Sequence, residues 1–253
     1  GQLVRFIYQR CTLVLGQSKI FLKSMSNHTS NVKKLRYFPS WAEDSFAERA
    51  PKLAPELSVF DGVFNVIFAG NVGEAQDFST VIRAAKLLKE QIFIRWVVIG
   101  DGSRIDWLRD EVSKAGLDDN FLILGRFPLE RMPSFYAHAG ALLVSLKKDP
   151  VFSMTIPGKV QSYLMAGFPI VALLDGEGAR VIKEANVGYV QPAGDANGLA
   201  ESVLKMTKLS TKERKQFGLN GRAYANKEFS KELAIDRLEA FLQEALNISK
   251  LKI

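Results

Sequence analysis

The sequence predicts a doubly wound α/β domain, in which helices cover both faces of a parallel sheet. From position 61 onward, short and nearly continuous apolar runs alternate with segments whose apolar residues recur at helical spacing. Strands that are apolar throughout belong to sheets buried on both faces, and their alternation with helices indicates parallel pairing. The composition agrees, because 47% hydrophobic and 24% charged residues over 253 positions are typical of a globular protein with a substantial core.

The individual elements follow from local patterns of apolar residues and turn residues. The predicted strands are residues 63–70, 92–100, 121–125, 141–146, 170–174 and 188–191. The predicted helices are residues 77–90, 103–115, 129–139, 158–166, 179–185 and 195–208, followed by a helix from 210 and a last helix after 230.

Several predicted helices begin at recognisable capping residues. Ser103 with Asp106, and Ser210 with Glu213, have the spacing of capping boxes. Asp195 is predicted to be the N-cap of its helix, because its carboxylate can accept from the first free N–H groups.

The first sixty residues have a different pattern. Residues 11–25 resemble one more strand and helix, whereas the stretch up to position 60 is predicted to be a connector. We therefore expect the tail of a preceding domain at 1–45, a linker at 46–60, the α/β domain at 61–229 and a terminal helix at 230–253. The sequence opens without Met, and we expect it to begin inside a longer protein.

Neither a membrane span nor a secretory signal is predicted. The longest apolar stretch, residues 163–174, is interrupted by Gly167 and Pro169 and is too short to cross a bilayer. No positively charged segment precedes an apolar run at the start. The single cysteine, Cys11, excludes an internal disulfide and is typical of a reducing compartment.

The net charge of +7 and the pI near 9.4 favour partners that carry phosphate, such as nucleic acid, anionic lipid or a nucleotide. The basic residues are dispersed, however, and form no block of five or more. Each small basic group can equally be a solvated face of the protein.

The loops that follow the strands are the places to search for function, because ligands of doubly wound sheets bind at the carboxyl ends of the strands. The loop GNVGEAQD, residues 70–77, can bring an anion to a helix N-terminus or can be a plain turn. The loop IGDGSRI, residues 99–105, begins like a dinucleotide-binding loop. It places Ile105 at the third glycine position, so that fingerprint fails. The other loops of this kind are 125–128, 147–159 and 175–178.

Lys159 is the most unusual residue of the sequence. It lies in the first turn of the helix that Gly167 ends, where the helix dipole disfavours a cation. Either it is an exposed lysine at a loop–helix junction, or an anion normally binds there. In the second case Gly158 would let the anion reach the N–H groups and Lys159 would supply positive charge.

Other catalytic chemistries find little support in the sequence. His28 and His138 are the only histidines, and His138 is predicted to be structural. No Cys/His cluster has metal-ligand spacing, and no serine lies in a nucleophile elbow. We therefore predict neither a metal nor another cofactor.

The motifs in order resemble the C-terminal half of a GT-B-fold glycosyltransferase, whose sheet is Rossmann-like. The runs that carry the resemblance are GNVGEAQDF, VVIGDGS, FLILGRFPLERMPSFYAHAGALLVSL, TIPGKVQSYLMAGFPIVA and IKEANVGYVQPAGDANGLAES. They are similar to those of retaining family-4 enzymes of bacterial O-antigen, capsule and colanic acid synthesis, some of which are described as fucosamine transferases. The resemblance covers residues 61–229, and the last helix resembles the one that crosses back to the N-terminal domain.

The resemblance implies that this half binds a nucleotide diphosphate sugar. By position, the family's diphosphate contacts fall at Gly70 and Gly73, and its base contacts fall at residues 125–127. Gly158 and Lys159 would hold phosphate at a helix N-terminus. The complete set of implied nucleotide-sugar-binding residues is Gly70, Asn71, Gly73, Gln76, Gly125, Arg126, Phe127, Thr155, Gly158, Lys159 and Ser162.

The sequence also departs from the family. Many relatives have an arginine and a lysine where this chain has Asn71 and Gln76. The acidic pair of the family falls at Met154 and Ser162, neither of which is acidic. Lys159 therefore becomes the leading candidate to balance the diphosphate charge.

The resemblance implies a glycosyltransferase that moves a sugar, with UDP favoured, to a lipid-linked or saccharide acceptor in surface polysaccharide (lipopolysaccharide) synthesis. It implies that the full-length protein is cytoplasmic and associates peripherally with the inner face of the membrane. It implies no nucleic-acid partner. The catalytic residues would lie in the preceding half, and this segment alone would be inactive. Two alternatives remain open, a sugar-nucleotide 2-epimerase of related fold and a non-enzymatic basic module that binds anionic lipid or nucleic acid.

Overall fold

A computed structural model describes residues 1–46, 52–57 and 62–250. The strands are β1 (Val14–Gly16), β2 (Leu35–Tyr37), β3 (Phe64–Ala69), β4 (Ile94–Ile99), β5 (Phe121–Gly125), β6 (Ala139–Ser145), β7 (Ile170–Leu173) and β8 (Gly188–Gln191). The helices are α1 (Gln2–Arg10), α2 (Lys19–Ser26), α3 (Phe78–Leu87), α4 (Ile105–Lys114), α5 (Met132–Tyr136), α6 (Pro150–Ser153), α7 (Gly158–Ala166), α8 (Gly176–Glu184), α9 (Ala196–Lys208), α10 (Thr211–Glu228) and α11 (Lys231–Lys250). Of the predicted linker 46–60, residues 47–51 and 58–60 lie outside the described part of the chain, as do 61 and 251–253.

The main sheet has six parallel strands in the order β5-β4-β3-β6-β7-β8. All six residues of β3 are buried, because core packs on both faces of the sheet. One core layer includes residues of α5, α7 and α8, and the other includes residues of α3, α4 and α9. The predicted doubly wound α/β fold is confirmed, with its topological switch point between β3 and β6.

Most predicted helix ends are confirmed, but one capping box is wrong. Ser210 and Glu213 form a capping box, and the Asp195 carboxylate accepts from the N–H of Gly198. α4 begins instead after Arg104 and has no side-chain cap. The N–H of Arg104, which is the N-cap residue, donates to the carbonyl of Val72 on the neighbouring loop at 3.0 Å. The N-cap therefore lies one residue after the expected cap, Ser103.

The helix predicted at 129–139 is shorter than expected. A 3-10 turn covers Leu129–Arg131, and only Met132–Tyr136 are α-helical.

The first part of the chain forms a separate small sheet. β1 pairs in parallel with β2, and α2 packs against both. β2 lies inside the segment that was predicted to be a connector, and it has only three half-buried residues. α11 lies against this sheet, because Arg36 pairs with Glu244 and the ring of Phe38 meets that of Phe241 at 6.3 Å.

Helix α10 fixes the position of α7, the helix that carries Lys159. α7 ends at Gly167, whose φ of 73° confirms the predicted left-handed C-cap. A Cβ on Gly218 of α10 would lie 2.0 Å from the carbonyl oxygen of Gly167, so the two backbones touch there. The guanidinium of Arg222 donates to the carbonyl of Ala166 at 3.0 Å and satisfies one of the free carbonyls at the helix end.

We predict that Gly218→Ala destabilises the protein although alanine favours helices. The added methyl would overlap backbone of α7, so we expect the free energy of unfolding to fall by about 1–3 kcal/mol, the usual cost of overpacking. Urea denaturation measures it. Lys215→Ala, an exposed change on the same helix, is the control and should change stability little. Equal stability of the two variants would contradict the close contact of α10 with α7.

Candidate functional site

A cavity opens at the carboxyl ends of β3, β4 and β5, beside the topological switch point. Its volume is about 960 Å³, within the range of sites that hold a cofactor-sized ligand. Its polar side is formed by the two loops after β3 and β4 and by the start of α7. Its apolar side is formed by residues between 126 and 136, which follow β5, and by Phe46 from the connector. The lining residues are Phe46, Ala69, Gly70, Asn71, Ile99, Gly100, Asp101, Gly102, Arg126, Phe127, Pro128, Leu129, Met132, Tyr136, Lys159, Ser162 and Tyr163.

Glycine is required where the loops after β3 and β4 meet. Gly100 has a φ of 147°, and a Cβ there would lie 1.9 Å from the carbonyl oxygen of Gly70. The N–H of Gly70 donates to the carbonyl of Ile99 at 2.8 Å, which continues the strand pairing to the cavity wall. The wall is therefore bare backbone, which lets a ligand approach closely.

Tyr163 fastens α7 to the end of β3. Its hydroxyl accepts from the N–H of Ala69 at 2.9 Å and donates to the carbonyl of the same residue at 3.3 Å. The ring is 1% exposed, and burial raises the pKa of the phenol well above its usual value. The phenol therefore stays protonated, and the first turn of α7 is held beside Gly70.

Lys159 lies four residues before Tyr163 and projects into the cavity. Its Nζ is 4.5 Å from the centroid of the Phe68 ring, and a Cβ on Gly70 would be only 2.8 Å from that nitrogen. Burial lowers the pKa of Lys159 from 10.5 to about 8. Within the described part of the chain it makes no ion pair. The site thus presents a partly desolvated cation, without a counter-charge, at a helix N-terminus.

Aromatic rings form the apolar end of the cavity. The Phe46 ring, from a 3-10 turn at residues 44–46, is stacked on Tyr136 with centroids 6.1 Å apart. Tyr136 in turn meets Tyr163 edge to face at 5.6 Å. Phe127 packs on Phe135 at 4.7 Å. This end suits a flat, weakly polar ring.

Glu74, in the loop after β3, joins that loop to two others. Its carboxylate pairs with Lys147, from the loop after β6, and with Arg104, from the loop before α4, at 3.2 Å. The hydrogen bond from Lys147 lowers the pKa of Glu74. These groups are largely exposed, so the pairs orient the loops more than they stabilise the fold.

The cavity brings six of the predicted binding residues together and leaves five outside its lining. The six are Gly70, Asn71, Arg126, Phe127, Lys159 and Ser162. The other five are Gly73, Gln76, Gly125, Thr155 and Gly158. Among these five, Gly73, Gln76 and Gly125 make hydrogen bonds within or to the loops that line the cavity.

Two hydrogen bonds hold the glycine loops, one to a side chain and one between backbone groups. The amide oxygen of Gln76 accepts from the N–H of Gly73 at 2.9 Å. The carbonyl of Gly125 accepts from the N–H of Gly100 at 2.7 Å.

The cavity also contains residues that sequence patterns did not single out. Asp101 and Gly102 belong to the loop at residues 99–105, which was a candidate because it follows a strand, but neither residue was predicted to bind. Met132 and Tyr136 lie four residues apart in α5, a spacing that indicates core as readily as a binding site. Phe46 comes from outside the sheet domain, and no local pattern predicts its approach.

The described residues contain no group of three or more His, Cys, Asp or Glu side chains arranged to hold a metal ion. The predicted absence of a metal stays a prediction. No helix in the described ranges is long and apolar enough to cross a bilayer.

Comparison with known proteins identifies the family. The family model for glycosyl transferases group 1 matches residues 51–224. The 2-deoxystreptamine N-acetyl-D-glucosaminyltransferase of Niallia circulans is 25% identical over 146 residues, which are 57% of this chain and 36% of that protein. The amylovoran biosynthesis glycosyltransferase AmsK of Erwinia amylovora is 25% identical over 181 residues, which are 70% of this chain and 44% of that protein.

Solved structures share the fold. HepE of Anabaena, solved in complex with UDP-glucose, superposes with a TM-score of 0.76 at 15% identity, over 92% of this chain and 64% of that chain. The chain spans between 36% and 64% of the lengths of the curated relatives that it matches.

We predict that Lys159→Met stabilises the protein when no ligand is present. At neutral pH the folded chain must keep a charged amine in a desolvated place, so its removal should raise the free energy of unfolding. We expect a gain of roughly 1–3 kcal/mol, because a tenfold change in proton affinity corresponds to about 1.4 kcal/mol.

The pH dependence has a definite sign. Between about pH 8 and 10.5 the unfolded chain holds more protons at this group than the folded chain, so the contribution of Lys159 to the free energy of unfolding rises with pH. The advantage of Lys159→Met should therefore shrink across that window, as urea denaturation at several pH values would show. A constant difference, or a loss of stability at neutral pH, would contradict a desolvated lysine.

Proposed function

The chain belongs to the glycosyl transferases group 1 family, and we propose that it is the donor-binding part of an enzyme that transfers a sugar from a nucleotide diphosphate sugar, with UDP as the favoured nucleotide. The observation that carries this proposal is the uncompensated cation of Lys159 beside Gly70, at the switch point of a doubly wound sheet.

The diphosphate is assigned to the space between Lys159 and the glycine loops. The N-terminus of α7 presents free N–H groups and the positive end of the helix dipole, both of which favour an anion. A bound diphosphate would raise the depressed pKa of Lys159, so binding would itself keep the amine charged. Asn71 and the backbone at Gly70 border the same space.

The same groups can assist the reaction. When the bond between the sugar carbon and the diphosphate oxygen breaks, negative charge grows on the leaving nucleoside diphosphate. Donors that are already in place around that oxygen stabilise the transition state more than the ground state. The acceptor hydroxyl forms the new bond and loses its proton to a base that we assign to the preceding part of the enzyme. These steps require no metal, and we propose that none is used.

The nucleobase of the donor is assigned to the apolar end of the cavity. Phe127 and the Phe46–Tyr136 stack offer aromatic rings there, and Met132 adds an apolar side chain. HepE of Anabaena, which shares the fold, was solved with UDP-glucose, and this supports UDP over other nucleotides.

The finer assignments rest on family resemblance. They are a retaining mechanism, a lipid-linked or saccharide acceptor in O-antigen, capsule or other surface polysaccharide synthesis, a fucosamine-type donor and a cytoplasmic position at the inner membrane face. The amylovoran enzyme among the relatives supports a polysaccharide role. We propose that residues 61–229 bind the donor, that 1–45 and 230–253 belong with the preceding domain, and that this segment alone does not transfer efficiently.

The family match supports the transferase over both alternatives. Neither a 2-epimerase nor a non-enzymatic basic module is supported by the relatives, which are glycosyltransferases by name.

We predict that Lys159→Met weakens UDP binding on the order of tenfold to a hundredfold, because a charge-assisted hydrogen bond to phosphate is lost. Uridine binding should be nearly unchanged, since the nucleoside has no phosphate. Isothermal titration calorimetry of both ligands measures the difference. Lys212→Ala, which removes the same charge at an exposed site on α10, should leave both affinities unchanged. Equal losses for UDP and uridine would show that Lys159 does not bind phosphate.

We also predict that UDP binds more tightly than GDP in the same calorimetric titration. The expectation rests on the ring-lined end of the cavity and on the family resemblance. Tighter binding of GDP would refute the uracil assignment but not the diphosphate site, whereas failure of both nucleotides would refute the proposed function.

A further inference from the structure

Arg131 contacts a ring at the apolar end of the cavity but does not itself line the cavity. Its guanidinium carbon lies 5.3 Å from the centroid of the Phe127 ring and 5.1 Å from that of the Phe135 ring. Phe127 lines the cavity, whereas Phe135 is fully buried. A guanidinium this close to an aromatic ring is attracted by the negative ring face, so Arg131 holds the Phe127 ring against Phe135.

Glu56 fixes the position of Arg131 from the connector, 75 residues earlier in the chain. One guanidinium nitrogen donates to both oxygens of the Glu56 carboxylate, at 2.8 and 3.0 Å. The side chains of Arg131 and Glu56 are 37% and 27% exposed, so the pair is partly shielded from water. Without the carboxylate the arginine would regain other rotamers and leave the ring, because a long side chain gains entropy when it is released.

The turn that carries Glu56 is docked on the main domain. It is a 3-10 turn, Pro55–Leu57, and Leu57 is 2% exposed. Just before it, the N–H of Ala54 donates to the carbonyl of Ser134 in α5 at 3.2 Å. The carboxylate is therefore presented from backbone that is itself held in place, and it can hold Arg131.

The segment 126–131 joins β5 to α5, and residues 126–129 all line the cavity. Among the described residues its only ion pair is that of Arg131 with Glu56. The N–H of Arg131 donates to the carbonyl of Pro128 at 3.0 Å, a hydrogen bond that lies inside the segment. The ion pair therefore ties this wall of the cavity to the connector.

We propose that Glu56 and Arg131 are positioning residues for the nucleobase of the donor. The pair acts through Phe127, whose ring it keeps in the orientation that forms the apolar end of the cavity. The inference rests on the proposed assignment of the nucleobase to that end, and it makes a residue of the connector a determinant of nucleotide affinity. An ion pair that served only the surface would contribute little to stability and nothing to binding.

Calorimetric titration of this chain with UDP and with uridine tests the proposal. Arg131→Ala should weaken the binding of both ligands by the same factor, about threefold to tenfold, the range expected for one lost contact between a cation and an aromatic ring and for the ring alignment that depends on it. Glu56→Gln should cause a smaller loss of the same kind, because the amide keeps the size of the side chain but not its charge. The melting temperature of Glu56→Gln should change little, since partly exposed ion pairs stabilise proteins weakly.

Two controls accompany these titrations. Glu130→Gln removes an exposed carboxylate from the 3-10 turn that contains Arg131, and it should leave both affinities unchanged. Lys159→Met should weaken UDP binding alone, so an equal loss for uridine separates the nucleobase end of the cavity from its phosphate end.

A double-mutant cycle tests whether the ion pair acts through the ring. Phe127→Leu removes the ring that Arg131 contacts. Glu56→Gln should then cause no further loss of uridine affinity, because residues that act through one contact are not additive.

Three results would overturn the proposal. Unchanged uridine affinity in Arg131→Ala would show that the pair is a surface contact only. A loss confined to UDP would assign its effect to the phosphates, and full additivity of Glu56→Gln with Phe127→Leu would exclude action through the ring. Failure of the unaltered chain to bind either UDP or uridine would instead refute the proposed function, and this inference with it.

Discussion

The site depends on one hydrogen-bonded contact, the Tyr163 hydroxyl on the backbone of Ala69. Parallel strands and their helices are joined by loops, and nothing in the sheet itself fixes how far a helix start lies from a strand end. The Tyr163 contact fixes that distance for α7 and β3, because a phenol has few torsions and here satisfies both backbone groups of one residue. The C-terminal end of α7 is held by the backbone contact of Gly167 with Gly218, so the helix is held both in its middle turn and at its end.

This rigidity lets the protein keep an unfavourable charge. A lysine in a partly desolvated first turn, without a counter-ion, costs folding free energy that a flexible loop would avoid by turning the amine to solvent. Around Lys159 the glycine wall and the Phe68 ring leave room for an anion. The Asp101 carboxylate of that wall accepts from the N–H of Gly102 and makes no ion pair with Lys159. The same feature that lowers the stability of the free protein preorganises it for phosphate, a common relation between stability and function in binding sites.

The strands could be predicted from the sequence because burial on both faces makes them apolar throughout, as in β3 and β4. Lys159 could be singled out because it breaks the electrostatic rule for a helix start. The capping box at Ser103 failed because the N-cap is one residue later, at Arg104, whose N–H donates to the carbonyl of Val72, 32 residues earlier, and no local pattern contains that contact. Phe46 was missed for the same reason, since its position depends on how the connector lies on the folded domain.

Phe46 connects the cavity to the segment that precedes the main sheet, which no residue of the sheet domain can do. Gln161 of α7 donates to the carbonyl of Ser40 at 2.6 Å, and the N–H of Ala42 donates to the carbonyl of Phe229, so the approach to Phe46 is pinned to the domain. A ligand that fills the aromatic end of the cavity therefore touches a residue that the sheet domain does not supply. Undocking of residues 40–46 would remove that part of the wall, so ligand binding and the docking of this segment favour each other by the same factor.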